Sequence, residues 1–141
     1  MKILVDTNVI LDVILMRDDF LSPSYRVMRL CADEESEIKG YAAAHTITNA
    51  WFILRKYFQP SERREHILDV FKVLEIVSIN GEMLQTALKN FEFADFEDCL
   101  QDECAAAVDA DYIVTRDTGD FAKSKTPALT PEEFIAKFEQ N

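Results

Sequence analysis

The stretch that decides the fold opens the chain and reads Lys2-Ile3-Leu4-Val5-Asp6-Thr7-Asn8-Val9-Ile10-Leu11-Asp12. Residues 3–5 form an apolar run long enough for a strand that is buried on both faces. The second apolar run, which starts at Val9, fits a helix better. Asp6 is therefore predicted at the end of a buried strand, which is where ligands bind in an open parallel sheet. The alternative is a helix N-cap, but a cap needs only one of Asp6, Thr7 and Asn8.

The bulk composition is that of a globular protein. The 141 residues suit one domain with one core, predicted over 1–141, and 48% of them are hydrophobic. No apolar run is long enough to cross a membrane, and Asp6 interrupts any signal-peptide pattern, so a cytoplasmic protein is expected. The net charge of −11 argues against sequence-blind adhesion to nucleic acid. It leaves open a nucleic-acid enzyme whose acids surround a metal.

The cysteines and histidines do not form a metal-binding pattern. Cys31, Cys99 and Cys104 contain no CxxC pair and lie in helix-like apolar patterns, so buried thiols are predicted. Neither His45 nor His66 is spaced beside a cysteine or another histidine, which disfavours a zinc site. No chemistry is assigned to either histidine.

Strand-like and helix-like runs alternate along the chain in the order β-α-α-β-α-α-β-α-α-β-α. This order predicts an α/β fold with a parallel sheet of four or five strands and helices on both faces. Residues 45–58 are expected to form one long aromatic helix broken by Pro60, with Ser61 as the cap of the next helix. Residues 75–79 and Tyr112–Val114 are expected to be strands, and Thr130 with Glu133 predicts a capping box for the last helix.

Acidic residues gather at three places that the predicted topology relates. They are Asp6 after the first strand, Asp117 and Asp120 after the strand Tyr112–Val114, and the cluster Asp95, Glu97 and Asp98 at a helix start. If the two strands are neighbours, all three groups face one crevice. Each acid alone is explained by a helix N-terminus or a turn. Together they repel one another unless a cation binds, because carboxylates within about 4–6 Å raise one another's pKa.

The expected ligand is a hard divalent cation. Oxygen ligands without histidine or cysteine suit Mg²⁺ or Mn²⁺, which complete their coordination with water and phosphate oxygens. Such an ion lowers the pKa of bound water and clamps a phosphodiester for in-line attack.

These motifs resemble the PIN domain, and within it the proteins similar to VapC ribonuclease toxins. The motifs are residues 4–8, residues 95–98, residues 113–117, Asp120-Phe121 and residues 130–134. The resemblance implies a helix-covered sheet and an Mg²⁺- or Mn²⁺-dependent nuclease acting mostly on RNA. It matches Asp6, Asp98 and Asp117 to the catalytic metal ligands, with Asp95 and Asp120 as auxiliary ligands. It also implies a homodimer and, in toxin members, an antitoxin that covers the acidic pocket.

One position departs from this resemblance. PIN domains usually carry a glutamate on the helix after the second strand, and Asn49 occupies that place. An asparagine can offer a carbonyl oxygen or orient a metal-bound water, but it supplies no negative charge and no general base. Two hypotheses follow: a ribonuclease that works without this glutamate, and a binding module that keeps the fold but has lost turnover. An ordinary polar residue at the edge of the helix is the structural alternative.

Several polar residues are candidates for binding substrate or positioning water. Thr7, Asn8, Thr115 and Thr118 can do so, or can act as caps; Arg116 can reach a phosphate, although a neighbouring carboxylate is the favoured partner. A local basic track for RNA is drawn from Arg55, Lys56, Arg63, Arg64, Lys123 and Lys125, for most of which solvated surface charge is the simpler explanation.

A third hypothesis is a phosphatase of the haloacid-dehalogenase type with Asp6 as nucleophile. It lacks the second aspartate two residues on, where Asn8 stands, and it lacks a cap region.

Overall fold

The computed structural model describes residues 1–139, which form a five-stranded sheet with helices on both faces. The elements in chain order are β1 (Lys2–Val5), α1 (Thr7–Ile14), α2 (Leu21–Ala32), β2 (Lys39–Ala43), α3 (Ala44–Leu54), α4 (Pro60–Val73), β3 (Glu75–Val77), α5 (Gly81–Lys89), α6 (Phe96–Ala107), β4 (Tyr112–Val114), a 3₁₀ helix (Thr118–Phe121), β5 (Ala128–Leu129) and α7 (Pro131–Glu139). The last two residues of the predicted domain, 140 and 141, lie outside the described residues.

The sheet is parallel throughout, with strand order β3-β2-β1-β4-β5. β1 pairs directly with β4, and Val5 stands opposite Val114. The two strands therefore end side by side, and the residues that follow them emerge at the same edge of the sheet. The predicted α/β fold class is confirmed.

The alternation of side chains along β1 divides the core into two halves. Ile3 and Val5 contribute to one cluster with residues of α1, α2, α4 and α7, whereas Leu4 contributes to the other with residues of α5 and α6. All three side chains are fully buried. Burial on both faces is what a continuous apolar strand in a helix-covered parallel sheet requires.

Some predicted boundaries were wrong. The helix predicted over residues 45–58 ends at Leu54, because the chain then tightens into i→i+3 hydrogen bonds such as Tyr57 N to Leu54 O at 3.0 Å. α4 begins at Pro60 after an extended Gln59, so Ser61 lies inside the helix and does not cap it. β3 stops at Val77, since its partner strand ends opposite at Ala43.

Other local predictions were confirmed. The Thr130–Glu133 capping box forms, with Glu133 N donating to Thr130 Oγ1 at 3.1 Å and Thr130 N donating to Glu133 Oε1 at 3.2 Å. Cys31, Cys99 and Cys104 are free thiols; the prediction of buried thiols is confirmed for Cys99 and Cys104, whereas Cys31 is only partly buried. Within residues 1–139, every helix is too short or too polar to span a bilayer.

Candidate active site

A cleft of about 450 Å³ opens at the edge of the sheet where β1 and β4 end. It is lined by Asp6, Thr7, Asn8, Leu11, Arg17, His45, Asn49, Phe52, Ile53, Glu97, Asp98, Gln101, Asp117 and Asp120. The structure thus brings Asp6, Asp98 and Asp117 to one cleft, as the sequence predicts. Of the other predicted site residues, Asp120, Thr7, Asn8 and Asn49 also line it. Asp95, Thr115 and Arg116 lie behind the lining or at its margin.

Asp6 is held rigidly at the floor of the cleft. Its carboxylate is 7% exposed, and its Oδ1 accepts a hydrogen bond from Thr7 N at 2.7 Å, which caps α1. Thr115 Oγ1 donates to Oδ2 at 2.7 Å, and Gln101 Nε2 donates to Oδ1. Donors from α1, from α6 and from the residue that follows β4 fix this carboxylate, so Asp6 is a helix cap and a cleft residue at the same time.

Asp98 lies in the first turn of α6, whose N-cap is Asp95. Asp95 Oδ1 accepts a hydrogen bond from Asp98 N at 3.0 Å, and Asp95 thereby orients the helix without lining the cleft. Burial raises the pKa of the Asp98 carboxyl to about 7, and the negative charges of Asp95, Asp6, Asp120 and Asp117 add to the rise. The ionised form of Asp98 is therefore disfavoured in this cleft.

Asp117 is placed by a small network at the end of β4. Asn8 Nδ2 donates to Asp117 Oδ2 at 3.1 Å, and Asn8 Oδ1 accepts from Arg116 N at 3.3 Å. Thr115 Oγ1 accepts from Asp117 N at 3.1 Å while it donates to Asp6. Thr115 is fully buried, so it links the Asp6 carboxylate to the backbone of Asp117 and has no access to a substrate.

Arg116 turns away from the cleft. Its Nε lies 3.0 Å from Oδ2 of Asp12, and its guanidinium lies 4.1 Å above the Phe20 ring. The neighbouring carboxylate that the sequence favours for Arg116 is Asp12, which sequence reasoning did not single out. Asp12 is fully buried and also meets Ser24 Oγ at 3.0 Å and Arg17 Nη1 at 3.4 Å.

α3 forms a wall of the cleft through residues spaced at one helix face, His45, Asn49, Phe52 and Ile53. Asn49 Nδ2 donates to Glu97 Oε2 at 3.3 Å, and Thr46 Oγ1 accepts from Thr7 Oγ1 at 2.9 Å, which ties the wall to α1. Burial lowers the pKa of His45 despite the nearby negative charge of Glu97, which favours the neutral imidazole. His45 was missed because neither sequence spacing nor composition linked it to the acids.

Gln101 is another residue that sequence reasoning missed. Its side chain is 3% exposed and donates to Asp6, while its buried Oε1 accepts no hydrogen bond from any residue in the described part of the chain. The available signal was its position on α6, three residues after Asp98 and therefore on the same helix face.

The donor set suits a hard cation: carboxylate oxygens and an amide oxygen without a hydrogen-bond partner. As the side chains stand, no three acidic, histidine or cysteine residues within residues 1–139 are arranged to hold one ion together. An ion would therefore need side-chain rotation or bridging waters, which Mg²⁺ commonly retains. Burial, followed by the surrounding carboxylates, raises the pKa of Asp98, and a bound cation would oppose both effects.

The basic track predicted from the sequence does not line this cleft. Arg55 lies 3.6 Å above the Phe52 ring, while Arg63 and Arg64 lie 4.1 and 5.5 Å from the Trp51 ring centre. Lys125 Nζ pairs with Glu103 Oε1 at 3.0 Å.

Comparison with known proteins gives a family match and a set of similar solved structures. The sequence model of the PIN domain matches residues 2–119. The fold is similar to a chain of VapBC2 from Rickettsia felis, bound to a DNA fragment from its promoter, with 18% identity, a TM-score of 0.68, and 92% of this chain and 98% of that chain covered. It is also similar to a chain of FitAB bound to an IR36 DNA fragment, with 16% identity, a TM-score of 0.68, and coverages of 92% and 94%. No curated protein sequence matches significantly.

Proposed function

Because the chain belongs to the PIN domain family, we propose that it is a metal-dependent endoribonuclease that cleaves RNA phosphodiester bonds with a metal-activated water. The observation that supports this most directly is the carboxyl group of Asp98. Burial and four other carboxylates raise its pKa to about 7, so ionising this carboxyl has a free-energy cost. A bound divalent cation would remove that cost. Perturbed carboxylates in a cleft are typical of functional sites.

Asp6, Asp98 and Asp117 are the proposed ligands of Mg²⁺ or Mn²⁺, with Asp120 beside them. Asp95 acts on the site through the backbone of Asp98, and Thr7 and Asn8 position the surrounding groups. The ion, when bound, would polarise the scissile phosphate and lower the pKa of a bound water. Asp6 contributes a fixed geometry, since its three hydrogen-bond donors leave it little freedom.

Glu97 is the proposed replacement for the acid that Asn49 lacks. Its Oε2 lies 3.3 Å from Asn49 Nδ2, inside the cleft and on the side of α6 that meets α3. In this arrangement Glu97 Oε2 receives the proton of the attacking water, and Asn49 keeps that carboxylate turned into the cleft. A general base of this kind contributes about 10²- to 10⁴-fold to a rate.

The test is cleavage of single-stranded RNA with Mg²⁺ or Mn²⁺ by the native chain, Asp6→Asn and Asp98→Asn. Asp69→Asn, an exposed acid on α4 that pairs with Lys72, is the matched control. We expect the native chain and the control to cleave, EDTA to abolish cleavage, and both cleft variants to lose at least about 100-fold. Equal cleavage by native and cleft variants would reject the site assignment.

The second candidate is a binding module with the same fold and weak or no turnover, which Asn49 favours. It predicts RNA binding without cleavage in the native chain, and cleavage that appears only when Asn49→Glu restores the acid. A native chain that already cleaves RNA at a rate unaffected by this change would reject it.

We also propose a homodimer and an antitoxin-like protein partner. The two similar structures are complexes bound to DNA, VapBC2 and FitAB, which is the ground for expecting a partner of this kind. Light scattering of the purified chain tests the dimer. Co-purification with a protein encoded beside it, followed by loss of RNA cleavage in the complex, tests the partner.

A further inference from the structure

We propose that Phe52 forms a stacking platform for an unpaired nucleobase at the mouth of the acidic cleft. This inference rests on the proposed RNA cleavage and specifies the part of the substrate next to the reacting phosphate. It assigns Phe52 as a substrate-binding residue and Arg55 and Arg17 as contacts for the neighbouring RNA backbone.

The Phe52 ring is open to solvent although it belongs to the cleft. It is 60% exposed and lines the same cavity as Asp6, Asp98 and Asp117. Contact between a large apolar ring and water is unfavourable, and a ligand that covers the ring would remove this free-energy cost. Flat aromatic faces suit nucleobases of any sequence, because every base has a π face.

The position of Phe52 along α3 sets the reach of the platform. Asn49, which touches Glu97 above the acidic floor, comes one helical turn earlier. Residues three apart lie on one face and are displaced by about 4.5 Å along the helix axis. A base stacked on Phe52 would therefore lie about one helical turn along α3 from the Asn49–Glu97 pair, in the same cleft as the acids.

Arg55 places a positive charge next to the Phe52 ring, at the mouth of the acidic cleft. Its guanidinium lies 3.6 Å from the centre of the Phe52 ring, and its Nη1 donates to Phe52 O at 2.6 Å, which fixes the pair on one turn. The guanidinium covers one ring face, so the other face is the one offered to a base. An arginine stacked on an aromatic ring at a nucleic-acid surface contributes both cation–π attraction and contact with phosphate.

Arg17 offers a second cation to the cleft. It is the only lysine or arginine among the cleft-lining residues in the described chain, and its ion pair with Asp12 is long, at 3.4 Å. Asp12 keeps a closer partner in Arg116 at 3.0 Å. Arg17 can thus turn toward a phosphate without leaving the buried Asp12 unpaired.

A contact between two copies of this chain is the competing explanation for an exposed phenylalanine. The cleft around Phe52 carries five carboxylates and one arginine, whereas a protein interface is usually depleted of charge at its centre. A more apolar surface depression than this cleft lies on α3 and α4, around Trp51, Ile67 and Leu68. Nucleic acid with a divalent cation suits the charged cleft better.

The experiment measures binding of a short single-stranded RNA that carries 2-aminopurine, in Mn²⁺ at low temperature, with RNA length checked by gel after each titration. Native chain, Phe52→Ala and Phe52→Trp are compared, and Phe71→Ala, an exposed phenylalanine on α4, is the matched control. Arg55→Ala and Arg17→Ala are measured in the same way. The same sequence as a perfect duplex is the substrate control, because its bases are already stacked.

We expect stacking on Phe52 to quench the 2-aminopurine fluorescence of the single strand and not of the duplex. Phe52→Ala should lose that quenching and weaken binding about 5- to 150-fold, while Phe52→Trp and Phe71→Ala should retain it. Arg55→Ala and Arg17→Ala should weaken binding and reduce its salt dependence.

Two outcomes overturn the inference separately from the proposed function. A native chain that cleaves RNA while Phe52→Ala binds and quenches like the native chain rejects the platform and leaves the nuclease intact. A Phe52→Ala variant with native RNA binding but an altered oligomeric state by light scattering assigns the ring to a protein interface instead. A native chain that neither cleaves nor binds RNA in Mn²⁺ rejects both proposals.

Discussion

Asn49 on α3 donates a hydrogen bond to Glu97 on α6, with 3.3 Å between Nδ2 and Oε2. The amide therefore stands beside an acid at the one place where the PIN resemblance calls for an acid. The pair also joins two walls of the cleft, because Asn49 belongs to α3 and Glu97 belongs to α6, and both residues line the cleft. The negative charge at this point comes from a different helix than the resemblance predicts.

Exchanging the two side chains tests this relationship. Glu97→Gln should lower the rate of RNA cleavage about 100-fold, because the proposed base is removed. The double variant Asn49→Glu/Glu97→Gln restores one carboxylate and one amide and should recover most of the rate. Glu82→Gln, an exposed acid on α5, is the control. A Glu97→Gln variant with native activity would show that Glu97 is not the base.

The pKa of Asp98 predicts how the stability of the metal-free protein depends on pH. The carboxyl is protonated up to about pH 7 in the folded state but only up to about 3.8 in the unfolded chain. Between these values the folded state binds more protons than the unfolded chain does. The contribution of Asp98 to the free energy of unfolding is therefore complete below pH 4 and is lost as pH rises through 7.

The size of this effect is about 1 kcal/mol after allowing for partial solvent screening. Asp98→Asn should remove it and make the protein in EDTA more stable than the native chain at pH 8. Urea unfolding between pH 4.5 and 8 measures this, with Asp69→Asn as the control. Parallel pH curves for native and Asp98→Asn would contradict the prediction.

Gln101 should affect metal binding in opposite directions depending on its replacement. Gln101→Leu removes the donor to Asp6 and the free Oε1, and we expect Mn²⁺ affinity to fall about 10- to 100-fold. Gln101→Glu adds a carboxylate beside Asp6, which should destabilise the metal-free protein and tighten Mn²⁺ binding. Calorimetric titration measures both. A fall in affinity of the same size in the two variants would mean that Gln101 acts only through packing.

Asp12 should be important for stability, since it is the buried partner of two arginines. Asp12→Ala leaves Arg116 and Arg17 without their carboxylate, and breaking a buried pair from one side costs about 3 kcal/mol. Asp69→Ala breaks an exposed pair with Lys72 and should cost less than about 1 kcal/mol. Urea unfolding distinguishes the two. Equal losses would mean that the Asp12 pair contributes no more than a surface pair.

Gly40 on β2 has no room for a side chain. A Cβ there would lie 2.5 Å from both Cys31 Sγ and Leu74 Cδ2, so Gly40→Ala should destabilise the protein by about 1–3 kcal/mol. Gly81→Ala meets nothing within 4 Å and should be neutral. Adding Cys31→Ala to Gly40→Ala removes one of the two clashes and should recover part of the loss. Thermal unfolding gives the comparison.

The general architecture was predictable because it follows from local patterns. The apolar run of β1 and the helix after Asp6 place that aspartate at a strand end, and the short strand Tyr112–Val114 places Asp117 in the same way. In a parallel sheet these two aspartates meet at one edge as long as the two strands are neighbours. The Thr130–Glu133 box was predictable for the same reason, since both partners lie within one helical turn.

The parts that the sequence did not reveal depend on contacts between distant segments. Asp12 pairs with Arg116 across more than one hundred residues, and His45 and Gln101 enter the cleft only because α3 and α6 pack around it. The end of α3 at Leu54 was missed because aromatic residues continue the helix-like pattern into a turn. Position along the chain carries no signal for contacts of this kind.

The two outer strands of the sheet are short: β3 has three residues and β5 has two. Few free backbone groups are therefore available for another chain to join by strand addition, which is how exposed sheet margins commonly cause aggregation. A lasting association of this protein with a second copy or a different polypeptide is therefore expected to use side chains on its helices, and substitutions there can change the partner while the sheet keeps the acidic cleft unaltered.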